Sequence, residues 1–460
     1  GSSWANARSD LAGAYADAGR YRGEVWLKTG TYEPAGSMLP RSNVAIRGGF
    51  AGDETSADQA DPAANPTVID GKSAVSAFLY TGQATNCVVQ GVTIKRFVNT
   101  AIRLTGASTL ELRDCTISSC GPSSSTATVN PRVVYVAGRL LAENCAFQAN
   151  ARNLSIYDPA TAFAGATNII RNCLFRGNRF TDMGGSPCQG AALYYSTTLP
   201  LVLENCDFIG NYSQHYDSAP AIRYASSGNS LVTDCRFLGN NVGSTARAPI
   251  DIRGGAHEFA RCTFETNLTS TTGAYHYPTI SAVFYQAGGR LLVRDSLFRG
   301  NTNNAPSTKA YADNQGNASV LAAYGTVVAT FVNCTMEKNR SSTSAAAGSA
   351  GTIRGDNARI ALVHCAVRDN AIGTGAAYTG EFSFGGGGSA STFSLVNSLV
   401  QPMEGVAVFK APASFHPCVA NSVIMGADLA DYAPTNSSYL VNASADTIRY
   451  IGSDGTSYDT

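Results

Sequence analysis

Residues 172–178 read Asn172-Cys173-Leu174-Phe175-Arg176-Gly177-Asn178, and residues 205–211 read Asn205-Cys206-Asp207-Phe208-Ile209-Gly210-Asn211. The shared pattern is Asx-Cys-x-Phe-x-x-Asn, and it recurs about every thirty residues along the chain. Further copies begin at Asn144 and Asp234. Others carry one or two replacements: Arg261-Cys262-x-Phe264, Asp295-Ser296-x-Phe298, Asn333-Cys334-x-Met336 and His364-Cys365-x-Val367, each closed by an Asn three residues on. A degenerate copy precedes the run (Asp114-Cys115-x-Ile117), and two follow it (Asn397-Ser398-x-Val400, Asn421-Ser422-x-Ile424). A repeat of this length is one supersecondary unit stacked on itself. The unit is short, alternating and rich in Gly and Asn turns, so it reads as a strand-turn rung.

Composition agrees with a solenoid. Only 14% of the 460 residues are charged, Gly numbers 46, and helical periodicity is absent past the first twenty residues. A solenoid grows by adding rungs, which removes the usual inference of two or three domains from length. Formal net charge is zero, so no bulk field favours nucleic acid or an acidic membrane. No apolar run approaches the roughly 20 residues a spanning helix needs. The opening Gly1-Ser2 reads as a cloning remnant, which leaves room for a leader removed upstream.

Eight of the twelve cysteines (Cys115, Cys145, Cys173, Cys206, Cys235, Cys262, Cys334, Cys365) share one column, and Ser stands in that column at 296, 398 and 422. A thiol interchangeable with a hydroxyl is a small buried filler, so an unbonded ladder is expected. Cys87, Cys120, Cys188 and Cys418 lie off the column, and a bond among them stays open. There is no CxxC pair to suggest zinc and no carboxylate cluster to indicate calcium, so no cofactor is expected.

Within a rung, Phe two residues after Cys points to the same side of the strand, so both enter the core. Asn in the last column suits a sharp turn, and its amide can pair with the equivalent amide one rung away. Surplus residues fall between that Asn and the next strand, which puts the loops on one face. Trp4, Ala7, Leu11, Ala14, Tyr15 and Ala18 sit at helical spacing. They predict one amphipathic helix over residues 3–18, with Ser3 as N-cap and Gly19 as stop, plugging the N-terminal end. Strands are expected at Glu24–Lys28 and Ser42–Phe50. The organisation is then residues 1–23 as helical cap, 24–420 as parallel β-helix and 421–460 as C-terminal cap.

The segments Val25-Trp26-Leu27-Lys28-Thr29-Gly30-Thr31-Tyr32 and Ile46-Arg47-Gly48-Gly49-Phe50-Ala51-Gly52-Asp53-Glu54-Thr55 resemble the opening rungs of secreted bacterial right-handed parallel β-helix proteins of the pectate-lyase-like superfamily. The Phe-x-x-Asn turns are similar to repeats of chlamydial polymorphic outer-membrane protein passengers, with Gly190-Ala191-Ala192 approximating their partner element. The resemblance implies an all-β, right-handed parallel β-helix, and a secreted or cell-surface bacterial setting. It implies no particular activity, because lyases, hydrolases, epimerases and adhesins share the scaffold.

The strand after each loop aligns across rungs as Ile102-Arg103-Leu104, Val134-Tyr135-Val136, Leu193-Tyr194-Tyr195, Ile222-Arg223-Tyr224, Ile250-Asp251-Ile252 and Val283-Phe284-Tyr285. With the flanking positions in the core, the middle one faces solvent. That predicts an outward column of Arg103, Tyr135, Tyr194, Arg223, Asp251 and Phe284, with Arg253 beside it. The adjoining loops carry Tyr212, His215, Tyr216 and Asp217, then Arg247, then Tyr275, His276 and Tyr277, then Lys309, Tyr311 and Asp313. Aromatic rings pack on sugar faces and Arg grips carboxylates, so Arg103, Tyr135, Asp217, Arg247, Arg253, Tyr275, His276 and Tyr277 are candidate contacts to successive sugars.

If the site is catalytic, uronate β-elimination fits its residue types. Arg223 would neutralise the substrate carboxylate, His215 or Tyr194 would take the proton, and Tyr216 would protonate the leaving oxygen. Hydrolysis would need a carboxylate pair, for which Asp217 and Asp251 are the candidates. Scaffold readings compete throughout. Tyr suits any pleated face, His257, His364 and His416 read as structural, and Gly385–Gly388 reads as a loop because no helix follows it. The sequence therefore points to a secreted, polysaccharide-active monomer that cleaves an acidic glycan by β-elimination. The alternative is a non-catalytic, adhesin-like or surface glycan-binding module.

Overall fold

Two left-handed corners shape each rung that carries the full seven-residue motif. The first-column residues Asp114, Asn144, Asn172, Asn205, Asp234, Asp295, Asn333 and Asn397 all have φ between 48° and 56°, a backbone that Asn and Asp tolerate better than other side chains. Arg261 and His364 take the same corner at φ 54°. The second corner falls just before the closing Asn, at Gly177 (φ 61°) or Gly210 (φ 59°) for example, where the missing β-carbon removes the steric cost. Between the corners lies a strand of three residues, such as Leu174–Arg176 or Asp207–Ile209. Each corner turns the following side chain, Cys or Asn, into the core.

The computed structural model describes residues 3–122, 132–157, 166–180, 191–214, 218–243, 247–270, 279–304, 316–341, 349–373, 378–384, 391–410, 415, 417–425, 439–442, 447–451 and 457–459. By internal packing the chain forms two units, residues 1–212 with 221–229, and residues 213–220 with 230–460. Each is a stack of parallel rungs, the parallel β-helix that the repeat predicts.

In the first unit Phe147, Phe175 and Phe208 are register partners on adjacent parallel strands. Their rings stack at 4.9 and 4.6 Å between centroids, with planes 10° and 3° apart, close to the spacing of neighbouring strands. Within the second unit Phe237, Phe264 and Phe298 repeat this at 5.0 and 4.6 Å. Met336, Val367 and Val400 then continue the same column in register.

The buried Asn column is a ladder of amides. Asn178 Nδ2 donates to Asn211 Oδ1 (3.0 Å) and to Phe147 O (2.8 Å), while its own Oδ1 accepts from Asn150 N (3.2 Å). Asn240, Asn267, Asn301, Asn339 and Asn370 repeat the scheme in the second unit. An exposed second ladder runs through the first corner, with Asn144 Nδ2 to Asp114 Oδ1 at 3.1 Å and Asn205 Nδ2 to Asn172 Oδ1 at 2.9 Å.

Every column Cys is free and buried, as are Cys87 and Cys120, while Cys418 is free and exposed. Cys188 lies outside the described residues. The column does more than fill space. Cys145 N donates to Cys173 Sγ (3.4 Å), and Cys262 N and Cys365 N donate to Ser296 Oγ and Ser398 Oγ (both 3.0 Å). Cys and Ser interchange because either accepts that bond and returns a proton to the carbonyl two residues back, as Cys262 does to Ala260 and Ser296 to Arg294.

The N-terminal helix is shorter than the spacing predicts. A 3₁₀ turn occupies Trp4–Asn6, and the α-helix runs Leu11–Tyr21. Ser3 makes no cap bond; Asp10 does, accepting from Ala12 N (3.1 Å) and Gly13 N (2.9 Å). Gly19 lies inside the helix, and Arg22 ends it in a left-handed conformation, its N–H reaching Ala18 O. Leu11, Tyr15 and Ala18 are its buried face, set against the strands Glu24–Lys28 and Val44–Phe50. Trp4 and Ala7 are not part of it; Trp4 packs on Phe50 (5.7 Å) and bonds Glu54 O through Nε1 (2.9 Å). At the other end, Tyr439–Asn442 joins in parallel, and Thr447–Ile451 and Ser457–Asp459 then pair antiparallel.

Candidate functional site

The predicted middle column exists in the first unit. Tyr135 is the register partner of Arg103 and of Ser155, Ser155 of Tyr194, and Tyr194 of Arg223. The rung Leu154–Tyr157, absent from the sequence alignment of strands, supplies Ser155 to this column and Tyr157 beside it. Tyr157 fills the space the small serine leaves. Its ring stacks on Tyr135 at 4.9 Å and meets Tyr194 at 5.3 Å.

Guanidinium groups lie along this aromatic run. Arg103 sits over the Tyr135 ring at 4.6 Å, and Arg132 sits over Tyr157 at 5.7 Å and Tyr194 at 5.8 Å. Arg132 also donates from Nη2 to the Tyr157 hydroxyl at 2.6 Å. The result is a continuous strip of Arg103, Tyr135, Tyr157, Tyr194 and Arg132, in which cation–π contacts brace each ring. Arg179 over Tyr212 (4.9 Å) and Arg152 over Phe180 (4.4 Å) add the same pairing nearby in the chain. Burial pushes the Tyr157 hydroxyl up to about 12, with Arg132 opposing the rise, so this phenol stays protonated at neutral pH.

Solvent access differs from the expectation. Arg103, Tyr135, Tyr157 and Arg223 are half-buried, but Tyr194 is only 5% exposed and Asp251 is fully buried. Guanidinium groups account for this within each unit: in the first Arg132 covers Tyr194, and in the second Arg253 grips Asp251. The Asp251 carboxylate takes both bonds from Arg253, Nε at 2.6 Å and Nη2 at 2.9 Å. With both oxygens held by one guanidinium and no exposure to solvent, Asp251 is poorly placed to reach a substrate as half of a hydrolytic pair.

Phe284 is not in the column. It pairs in register with Ile250, is fully buried, and packs on Phe259, Phe264 and Phe298. Tyr285 takes the position instead, opposite Asp251. Val283, Phe284 and Tyr285 are all apolar-bodied, so alternation could not choose between two registers one residue apart. In the second unit Arg247 lies over the Tyr285 ring at 4.6 Å and bonds its hydroxyl, and Arg253 lies over the same ring at 5.1 Å. Arg247, Asp251, Arg253 and Tyr285 thus form one cluster.

His215, Tyr216, Asp217, Tyr275, His276, Tyr277, Lys309, Tyr311, Asp313, His416 and Gly385–Gly388 lie outside the described residues. His257 is buried, with Nδ1 to Ser230 Oγ at 2.8 Å and Nε2 to Gly254 O at 2.6 Å. Sequence reasoning missed Tyr157, Arg132 and Tyr285. The available signal for Tyr157 was Leu154-Ser155-Ile156, which has the apolar-x-apolar form of the other strands. Among the described residues no three His, Cys, Asp or Glu side chains cluster as a metal site would require, and no helix is long and apolar enough to cross a membrane.

The family model described as "Right handed beta helix region" matches residues 69–267. With the coordinates, that makes the fold a right-handed parallel β-helix. No curated protein matches the chain. Among solved structures, PfbA, a surface adhesin of Streptococcus pneumoniae, aligns at 11% identity and TM-score 0.35, covering 98% of this chain and 94% of that one. A tailspike protein of E. coli bacteriophage HK620, in complex with a pentasaccharide, aligns at 14% identity and TM-score 0.37 over 95% and 77%. A PL6 alginate lyase in complex with a trisaccharide aligns at 13% identity and TM-score 0.25 over 84% and 83%.

Proposed function

We propose that the protein binds an acidic polysaccharide along the strip Arg103, Tyr135, Tyr157, Tyr194 and Arg132, in an extracytoplasmic setting and as a monomer. The observation that carries this reading is the unbroken ring-to-ring and ring-to-guanidinium contact across successive rungs. Strands about 4.8 Å apart set the rings at a step comparable with one pyranose. The half-buried Tyr135 and Tyr157 offer ring edges and hydroxyls, and the half-buried Arg103 and Arg223 offer charge to uronate or sulfate groups.

A catalytic version has one supporting observation. Tyr194 and Arg223 are direct register partners, so a uronate carboxylate held by Arg223 would lie about one strand spacing from Tyr194. In β-elimination Tyr194 or His215 would take the proton, Tyr216 would serve the leaving oxygen, and Arg223 would stabilise the developing charge. Asp217, Arg247, Arg253, Tyr275, His276 and Tyr277 remain proposed sugar contacts on their residue types.

Titration calorimetry of the purified protein against a panel of uronic-acid and sulfated polysaccharides tests binding. Ultraviolet absorbance of unsaturated uronate products tests cleavage on the same samples. Binding that weakens in salt and on Arg103→Ala supports the proposal. Affinity that ignores both changes, or no acidic glycan bound at all, removes it.

A further inference from the structure

The buried asparagine ladder of the second unit has an unusual end. Asn240, Asn267, Asn301 and Asn339 each pass an amide proton to the Oδ1 of the next rung, the last such bond being Asn339 Nδ2 to Asn370 Oδ1 at 3.0 Å. The next motif copy has Met403 where the acceptor should stand, and Met403 is exposed. Asn370 Nδ2 therefore lacks its usual partner. It donates to Met336 O and to Glu381 Oε1, both at 3.0 Å.

Glu381 comes from the strand Tyr378–Phe384 and is fully buried. Its second carboxyl oxygen, Oε2, accepts no hydrogen bond. A carboxylate so placed would keep a full charge with one oxygen unsolvated, whereas the neutral acid needs only an acceptor for its single proton. Thr352 is the residue opposite Glu381 in the register set by Ala350–Thr379 and Ile353–Phe382, and its hydroxyl is also buried without a partner.

We propose that Glu381 is a carboxylic-acid terminator of the asparagine ladder: neutral, it closes the ladder, and ionised, it loosens the strands Ser349–Asp356 and Tyr378–Phe384. Burial raises its pKa to about 7, with the Asn370 hydrogen bond opposing the rise. Among the described residues no charged group acts on it as a counter-charge. From the preceding rung come Thr352, then Arg354 and Asp356, which interact with each other. From the turn and third face come Asn370, Ile372 and Ser341, with Arg340, Arg368 and Asp369 exposed. From the following rung come Val408 and the exposed Lys410.

The folded state holds the proton more tightly than the unfolded chain, whose ordinary value is 4.5. The stabilising contribution is therefore complete below about pH 4.5, falls as pH rises, and is gone once pH passes about 7. Glu381→Gln keeps the acceptor oxygen and replaces the acid proton with an amide proton, so it mimics the neutral form at every pH.

Thermal unfolding of the full chain and of Glu381→Gln, across this pH range, tests the proposal. The expected result is equal midpoints at the acid end and a variant advantage of roughly 5 °C above neutrality. Infrared spectra supply an independent reading. Wild type should keep a protonated-carboxyl carbonyl band near pH 6 that vanishes above about 8 and is missing in the variant. Should Glu381→Gln not fold, Glu381→Asp should shift that band. Parallel stability curves at all pH values, or no such band in wild type, would overturn it.

Discussion

Two lines of side chains run along the first unit and obey opposite rules. In the buried ladder Asn150, Asn178 and Asn211, every member is the same residue, and each is satisfied by its own copy one rung away. In the strip Arg103, Tyr135, Tyr157, Tyr194 and Arg132, no two neighbours need be alike, and even the serine rung is bridged by a ring from the next position. The ladder is constrained because its amides are cut off from water, where a missing partner exposes an uncompensated dipole. The strip is constrained only by reach and by the preference of cations for ring faces. Stacked rungs thus separate a part that must repeat from a part free to diversify.

The largest expected effect would come from breaking the ladder. Asn178→Ala removes the acceptor of Asn150 N and the donor to Phe147 O and Asn211 Oδ1. At about 1–3 kcal/mol per stranded buried group, chemical denaturation should show a loss of about 4 kcal/mol. A loss below about 1 kcal/mol would mean that water replaces the amide and that the two lines are not different in kind.

The same contrast can be probed by acid in the second unit. Burial pulls His257 down to about 4 from its ordinary 6.5. The fold therefore favours neutral imidazole, and this contribution is complete above about pH 6.5 and lost as pH falls through about 4. The full swing is on the order of 3 kcal/mol. It should appear as a drop in urea midpoint that His257→Gln abolishes, and it runs opposite to the change expected from Glu381.

A smaller effect is expected in the strip. Tyr135→Ala removes the ring between Arg103 and Tyr157 and should weaken binding of an acidic glycan about tenfold, with unfolding nearly unchanged. A large stability loss with unaltered affinity would make the strip scaffold. Least of all should Cys262→Ser matter. Its column neighbour is already Ser296, which accepts the Cys262 N–H at 3.0 Å, so a change under about 1 kcal/mol and no response to reductant are expected.

Much of the rung was legible in the sequence. The Cys–Phe pair in the core, the amide ladder and the rise through parallel strands follow from a motif in which like residues meet like residues. The left-handed corner at the first motif column was less visible, since Arg261 and His364 occupy it beside Asn and Asp. The start of the helix was missed because Ser3 and Asp10 both suit an N-cap, and only packing of Leu11, Tyr15 and Ala18 on the first strands decided between them.

The candidate site was legible as a column and not as a surface. Alternation placed Arg103, Tyr135, Tyr194 and Arg223 together, and the register agrees. It could not choose Tyr285 over Phe284, or show that Arg253 would close on Asp251. The sequence by itself determined the stacked architecture, because a repeating motif dictates which residues are neighbours once strands pair in parallel. Only the tertiary structure decided which of those neighbours reach solvent and which are sealed by a guanidinium, because that depends on how long side chains fold back over a column, and periodicity carries no record of it.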